Sequence, residues 1–154
     1  MSNLNALTVA VDVALRKRDA ARRLLQDAQG AQQAAQDQLA QLQGYARETE
    51  GRWGMRANAA VQPEVMFHHY QFMNRLDHAA GLQTSVVGDH ASRVQAAARS
   101  LLDAELRLAS LRKVVEKRQQ DHERQQLRRE QKQTDERASM QVRNAINGPH
   151  GQEY

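Results

Sequence analysis

The sequence predicts an all-α protein, with two long helices in an antiparallel coiled-coil hairpin and a longer second helix that ends in an unpaired C-terminal extension. Three observations carry this. Apolar residues recur in alternating steps of three and four through two long stretches, which is the heptad pattern of a coiled-coil seam. One short region between the stretches gathers the turn-forming residues. In the second stretch the apolar recurrence stops well before the helix-forming residues do.

The first helix, expected over about residues 4–50, carries the seam Leu4, Leu7, Val11, Ala14, Arg18, Ala21, Leu25, Ala28, Gln32, Ala35, Leu39, Leu42 and Ala46. Arg18 and Gln32 interrupt its apolar character, and polar residues at such positions set register at some cost in stability. The alanines allow close approach of the partner helix but bury little area. Gly51, Gly54 and Pro63 then mark a turn over about residues 51–63. Trp53 lies in that region, where it is expected to cap the end of the hairpin. Pro63 suits the first position of the next helix, where its missing N–H is not needed.

The second helix, expected over about residues 64–145, has the seam Met66, His69, Met73, Leu76, Ala80, Gln83, Val87, His90, Val94, Ala97, Leu101, Ala104, Leu108, Leu111 and Val115. The same steps continue through Arg118, His122, Gln125 and Arg129, which are polar. Folding back about the turn places Ala46 near His69 and Leu4 near Leu111, so the seam should turn polar just beyond Val115, as it does. At about 1.5 Å per residue, the longer helix reaches roughly 120 Å. The tail, about 146–154, is expected to be disordered.

Composition fits one thin coiled-coil domain. The 154 residues are 40% apolar, but alanine dominates that share, so narrow stripes are expected in place of a thick core. There is no cysteine, hence no disulfide or thiolate metal site. Asp12 interrupts the apolar opening, which has no basic leader before it, and no apolar run is long enough to cross a bilayer. A soluble protein is expected.

No phosphate-binding glycine loop, zinc motif, nucleophile elbow or calcium loop is present, so neither enzymatic activity nor a cofactor is expected. Glu64 and His68 share a helical face beside His69, but the pattern lacks a third metal ligand. His90 and His122 fall on the seam, as partly buried register residues. The net charge of +4 resides mainly in the C-terminal third, where Arg112–Tyr154 holds ten Lys/Arg against seven Asp/Glu. Arg112–Arg143 has no Phe, Tyr or Trp to stack on bases, which disfavours nucleic acid as a partner.

Both phenylalanines and one of the three tyrosines fall within "FHHYQFMNRLDHAAGLQ", residues 67–83. Phe72, Ala79 and Val86 run seven apart, one position beside the seam. Gln38, Tyr45 and Thr49 likewise flank or adjoin Leu42 on the first helix. Together they suggest an apolar patch near the turn, either a thickened core or a partner site left uncovered by any third helix.

The heptad first helix, the segment "YQFMNRLDHAA" and the C-terminal "EQKQTDERA" (Glu130–Ala138) together resemble the flagellar type III export protein FliJ family and its injectisome stalk relatives. The resemblance implies a non-enzymatic stalk, similar to the central stalk of rotary ATPases, whose paired terminal ends enter a hexameric export ATPase and promote its assembly and hydrolysis. It also implies that a patch at Gln38, Leu42, Tyr45, Phe72, Leu76 and Ala79 contacts the cytoplasmic domain of the export gate, a membrane protein. On the same basis, Arg124, Arg128, Gln131, Lys132, Asp135 and Glu136 face the ATPase. Export chaperones are further partners that the family handles. The location implied is cytoplasmic, at the inner-membrane base of the flagellum, and the isolated chain is expected to be a monomer. Thr49 stands where an aromatic is common in the family, and Gln83 where a histidine is expected. Two readings from other classes are a basic coiled-coil nucleic-acid binder and a purely structural coiled coil that oligomerises through the patch.

Overall fold

A computed structural model describes residues 2–56 and 62–148, and their side chains except those of 2 and 54–56. Two helices account for almost all of them: α1, Ser2–Arg56, and α2, Pro63–Ile146. No strand occurs among the described residues. The chain divides into two compact units, residues 14–107 and residues 1–13 with 108–154. Each is an antiparallel pairing of an α1 segment with an α2 segment.

Every residue of the expected α1 seam, from Leu4 to Ala46, is buried or half-buried. The same holds on α2 from His69 to Val115, while Met66 is 42% exposed. Ala14, Ala35, Met73 and Leu108 are the most deeply buried apolar residues. Arg18 is accommodated in the seam because its Nε donates to Asp19 Oδ1 at 2.9 Å. Pro63 does open α2, and the Gln62 carbonyl accepts the first bonds of that helix from the N–H groups of Val65 and Met66. Asn147 N–H donates to the Arg143 carbonyl and closes the other end. The expectation of a disordered tail falls largely on residues 149–154, which lie outside the described residues.

The boundary of α1 differs from the expectation, and the difference shifts the pairing. α1 continues through Gly51 to Arg56, whereas the sequence reading ended it near residue 50. The steps of three and four therefore extend from Ala46 through Thr49 to Trp53, and all three are half-buried. Trp53 stacks on His69, with ring centroids 4.2 Å apart and planes 29° apart, in the place expected for Ala46. Trp53 is thus a seam residue, and its large buried face offsets the helix penalty of Gly51, roughly 1 kcal/mol.

The same displacement, about one heptad, appears independently in the unit of residues 1–13 and 108–154. Thr8 and Val11 lie alongside Arg112, Val115, Glu116 and Gln119. Asn3 and Leu4 border a groove of about 420 Å³ with Arg118, Asp121, His122 and Gln125, not beside Leu111. The seam does turn polar after Val115, but α1 accompanies it past that point. His122 is consequently an exposed groove residue, not a partly buried one. The segment of α2 without an α1 neighbour begins near residue 126, and every residue from Glu116 to Asn147 is exposed.

Two substitutions test this arrangement. Leu108 is 3% exposed and Leu106 is 58% exposed, although they are two residues apart and chemically identical. Leu108→Ala is expected to cost about 2–4 kcal/mol and Leu106→Ala less than about 0.5 kcal/mol, read from chemical denaturation. A Cβ added at Gly51 meets nothing within 4 Å. Gly51→Ala should therefore stabilise the protein by about 0.5–1 kcal/mol, whereas a turn at that position would make the change neutral or unfavourable.

Candidate functional site

Heptad geometry decides which side chains leave the seam on which flank. In an antiparallel pair, the positions just before each a residue lie together on one flank, and those just after each d residue lie on the other. Tyr45 and Phe72 both occupy the first kind, so each departs from its helix toward the other. They meet edge to face, with centroids 6.0 Å apart and planes 85° apart. Phe72 is 39% exposed and Tyr45 52%, while the adjacent seam residue Met73 is 8% exposed. The pair is therefore a surface feature resting on a core.

The other patch residues assemble around it through helical spacing. Phe72, Leu76 and Ala79 follow steps of four and three on α2, as Gln38, Leu42 and Tyr45 do on α1, so each trio shares one helix face. Leu42, Leu76 and Ala79 are half-buried and Gln38 is exposed. Gln38, Gln41, Leu42, Tyr45 and Gln83 line an open groove of about 320 Å³. All six residues expected in the patch lie in the unit of residues 14–107. Val65 and Val86, seven residues before Phe72 and after Ala79, extend its exposed apolar flank.

Thr49 and Gln83 turn inward to the scaffold. Thr49 Oγ1 donates to the Tyr45 carbonyl at 2.8 Å, which folds its side chain against its own helix. Gln83 crosses between the helices, its Nε2 donating to the Ala35 carbonyl at 2.9 Å and to Gln38 Oε1 at 3.1 Å. Sequence reading missed both this clasp and the Trp53–His69 stack. The signal for the stack was the unbroken step from Ala46 through Thr49 to Trp53, hidden by Gly51 and Gly54.

Arg124, Arg128, Gln131, Lys132, Asp135 and Glu136 are all exposed in the other unit. At 100° per residue they fan over one side of α2 in the order Gln131, Arg124, Asp135, Arg128, Lys132 and Glu136. Glu64 and His68 are exposed, and no group of three potential metal ligands gathers among the described residues. No helix there is long and apolar enough to cross a membrane.

The architecture recurs in a solved structure. A solved structure described as a YscO homologue from Chlamydia trachomatis shares the fold, with a TM-score of 0.70 and 17% identity over 97% of this chain and 96% of that one. No curated protein matches. The pattern of the flagellar FliJ protein matches residues 3–147, almost the full extent of α1 and α2, and the chain therefore belongs to the FliJ family.

Proposed function

We propose that this FliJ-family protein, a component of flagellar type III export, is a non-enzymatic stalk that couples the hexameric export ATPase to the export gate. The observation that carries the reading is the family match across residues 3–147. Two surfaces divide the work. The Tyr45–Phe72 patch, with Gln38, Leu42, Leu76 and Ala79, docks the cytoplasmic domain of the gate. The α2 segment beyond the α1 neighbour, bearing Arg128, Gln131, Lys132, Asp135 and Glu136, with Arg124 just before it, engages the ATPase and promotes its assembly and hydrolysis. Long exposed helix suits insertion between subunits of a ring, because its backbone bonds are satisfied internally and its side chains are free on every side. Export chaperones are further partners on this reading, and the protein works at the inner-membrane base of the flagellum through its partners.

A docking role for the patch requires that Phe72 contribute to binding more than to folding. Phe72→Ala is expected to weaken binding to the gate's cytoplasmic domain at least about tenfold while costing only about 1 kcal/mol of fold stability, since the ring is already part-exposed. Calorimetric titration alongside thermal melts measures both. Unchanged affinity in a folded Phe72→Ala protein would remove the patch from the gate interface.

Division of labour between the two units is tested by shortening α2. A chain ending at Gln125 retains the α2 segment that borders Asn3 and Leu4, so both helix pairings persist. It should lose most stimulation of export-ATPase hydrolysis and keep gate affinity within about twofold. Equal loss of both activities would contradict separate surfaces.

A further inference from the structure

Among the described residues, Gln83 is the one residue of the α2 seam whose side chain reaches hydrogen-bond partners on α1, and its two bonds fix more than the helix pairing. The Ala35 carbonyl oxygen can only accept, so the atom Gln83 offers it at 2.9 Å must be the amide nitrogen. With that orientation set, the second N–H of Gln83 points at Gln38 at 3.1 Å, and Gln38 must answer with its carbonyl oxygen. The Gln38 amide group, itself exposed, donates to nothing among the described residues. A backbone carbonyl in α1 thus dictates, through Gln83, which end of the Gln38 side chain is turned toward solvent.

We propose that Gln83 is a positioning residue for the docking patch: it holds Gln38 so that a hydrogen-bond donor projects beside the groove, and the docking partner meets that donor with a carbonyl oxygen. A carbonyl is favoured over a carboxylate by the groove itself. Its lining of Gln38, Gln41, Leu42, Tyr45 and Gln83 contains no cation, so a carboxylate buried there would lose its hydration with only neutral amides in return. The inference rests on the reading of the patch as the gate-docking surface. It assigns Gln83 a part in that surface that acts through the orientation of Gln38.

The test uses the full chain, the purified cytoplasmic domain of the export gate, and calorimetric affinities with melting curves for each variant. Gln38→Glu is close to isosteric and still accepts from Gln83, but turns an oxygen outward where the donor was. It is expected to lower affinity at least about tenfold without lowering the melting temperature. Gln83→Leu is expected to lower affinity about three- to tenfold in the native background and to add nothing in a Gln38→Ala background, because its effect passes through Gln38. Native affinity in Gln38→Glu, or losses from Gln83→Leu and Gln38→Ala that multiply, would overturn the proposal. A Gln38→Glu defect that vanishes as salt is raised would identify like-charge repulsion from a partner carboxylate and overturn the assignment of a carbonyl. Phe72→Ala serves as the control: its failure to weaken binding removes the patch reading itself, whereas a weakened Phe72→Ala beside an unimpaired Gln38→Glu removes only this inference.

Discussion

Ala14, Ala21, Ala28 and Ala35 recur seven apart along the α1 seam and offer little resistance to sliding, because a shift of one heptad returns each of these small side chains to an equivalent hole. Within the unit of residues 14–107, a few contacts that do not repeat select one register. The stack of Trp53 on His69 and the edge-on meeting of Tyr45 and Phe72 each exist once, and the bonds from Gln83 form within the register they set. Arg22 and Glu105 approach to 4.0 Å on the other flank, but both are exposed and such a pair contributes little. Displacing the pairing by seven residues would leave Trp53 without His69 and Phe72 without Tyr45. The Tyr45–Phe72 patch is composed of residues from both helices and exists in this register alone.

Near the turn the flanks of the seam differ, which gives that part of the coil a face. One flank there carries Val65, Phe72, Ala79 and Val86 of α2 with Ala31, Gln38, Tyr45 and Arg52 of α1, and farther along it carries Leu24 and Lys17 with Arg93 and Arg107. The other carries Arg22, Gln29, Gln36, Gln43 and Glu50 of α1 with Asp77, Thr84 and Glu105 of α2, and also Leu15, Tyr70, Ala91 and Ala98. A two-helix coil cannot cover its own flanks, so the apolar one is left to solvent or to a partner. On the proposed function, the flank near the turn is the docking face and its residues act one position removed from the core.

Fold class was legible because periodicity is a long-range average: the alternation of threes and fours from Leu4 to Ala46 and from His69 to Val115 tolerates a misread residue. The end of α1 was not legible for the opposite reason. Gly51 and Gly54 lie three apart with Pro63 nine residues beyond, and local turn chemistry outweighed the two further seam steps to Thr49 and Trp53. Because the turn sets register for all that follows, that local misreading displaced Leu4 from Arg118 and its neighbours to Leu111. The patch residues were legible individually, since Phe72 and Tyr45 fall one place from the seam. Their mutual contact followed only from the pairing. Gln83 was seen as an anomaly of identity, and its role depended on a carbonyl across the helix interface that no sequence pattern reveals.

Register is therefore the claim on which the site depends, and the only tryptophan in the sequence reports on it directly. Nuclear Overhauser contacts of the His69 ring protons in the isolated protein distinguish the alternatives at single-residue resolution. The structure places those protons against the Trp53 indole, with centroids 4.2 Å apart, and strong cross-peaks between the two rings are expected. Cross-peaks from His69 to the Ala46 methyl, with none to Trp53, would show the helices paired one heptad away and would dissolve the patch as described.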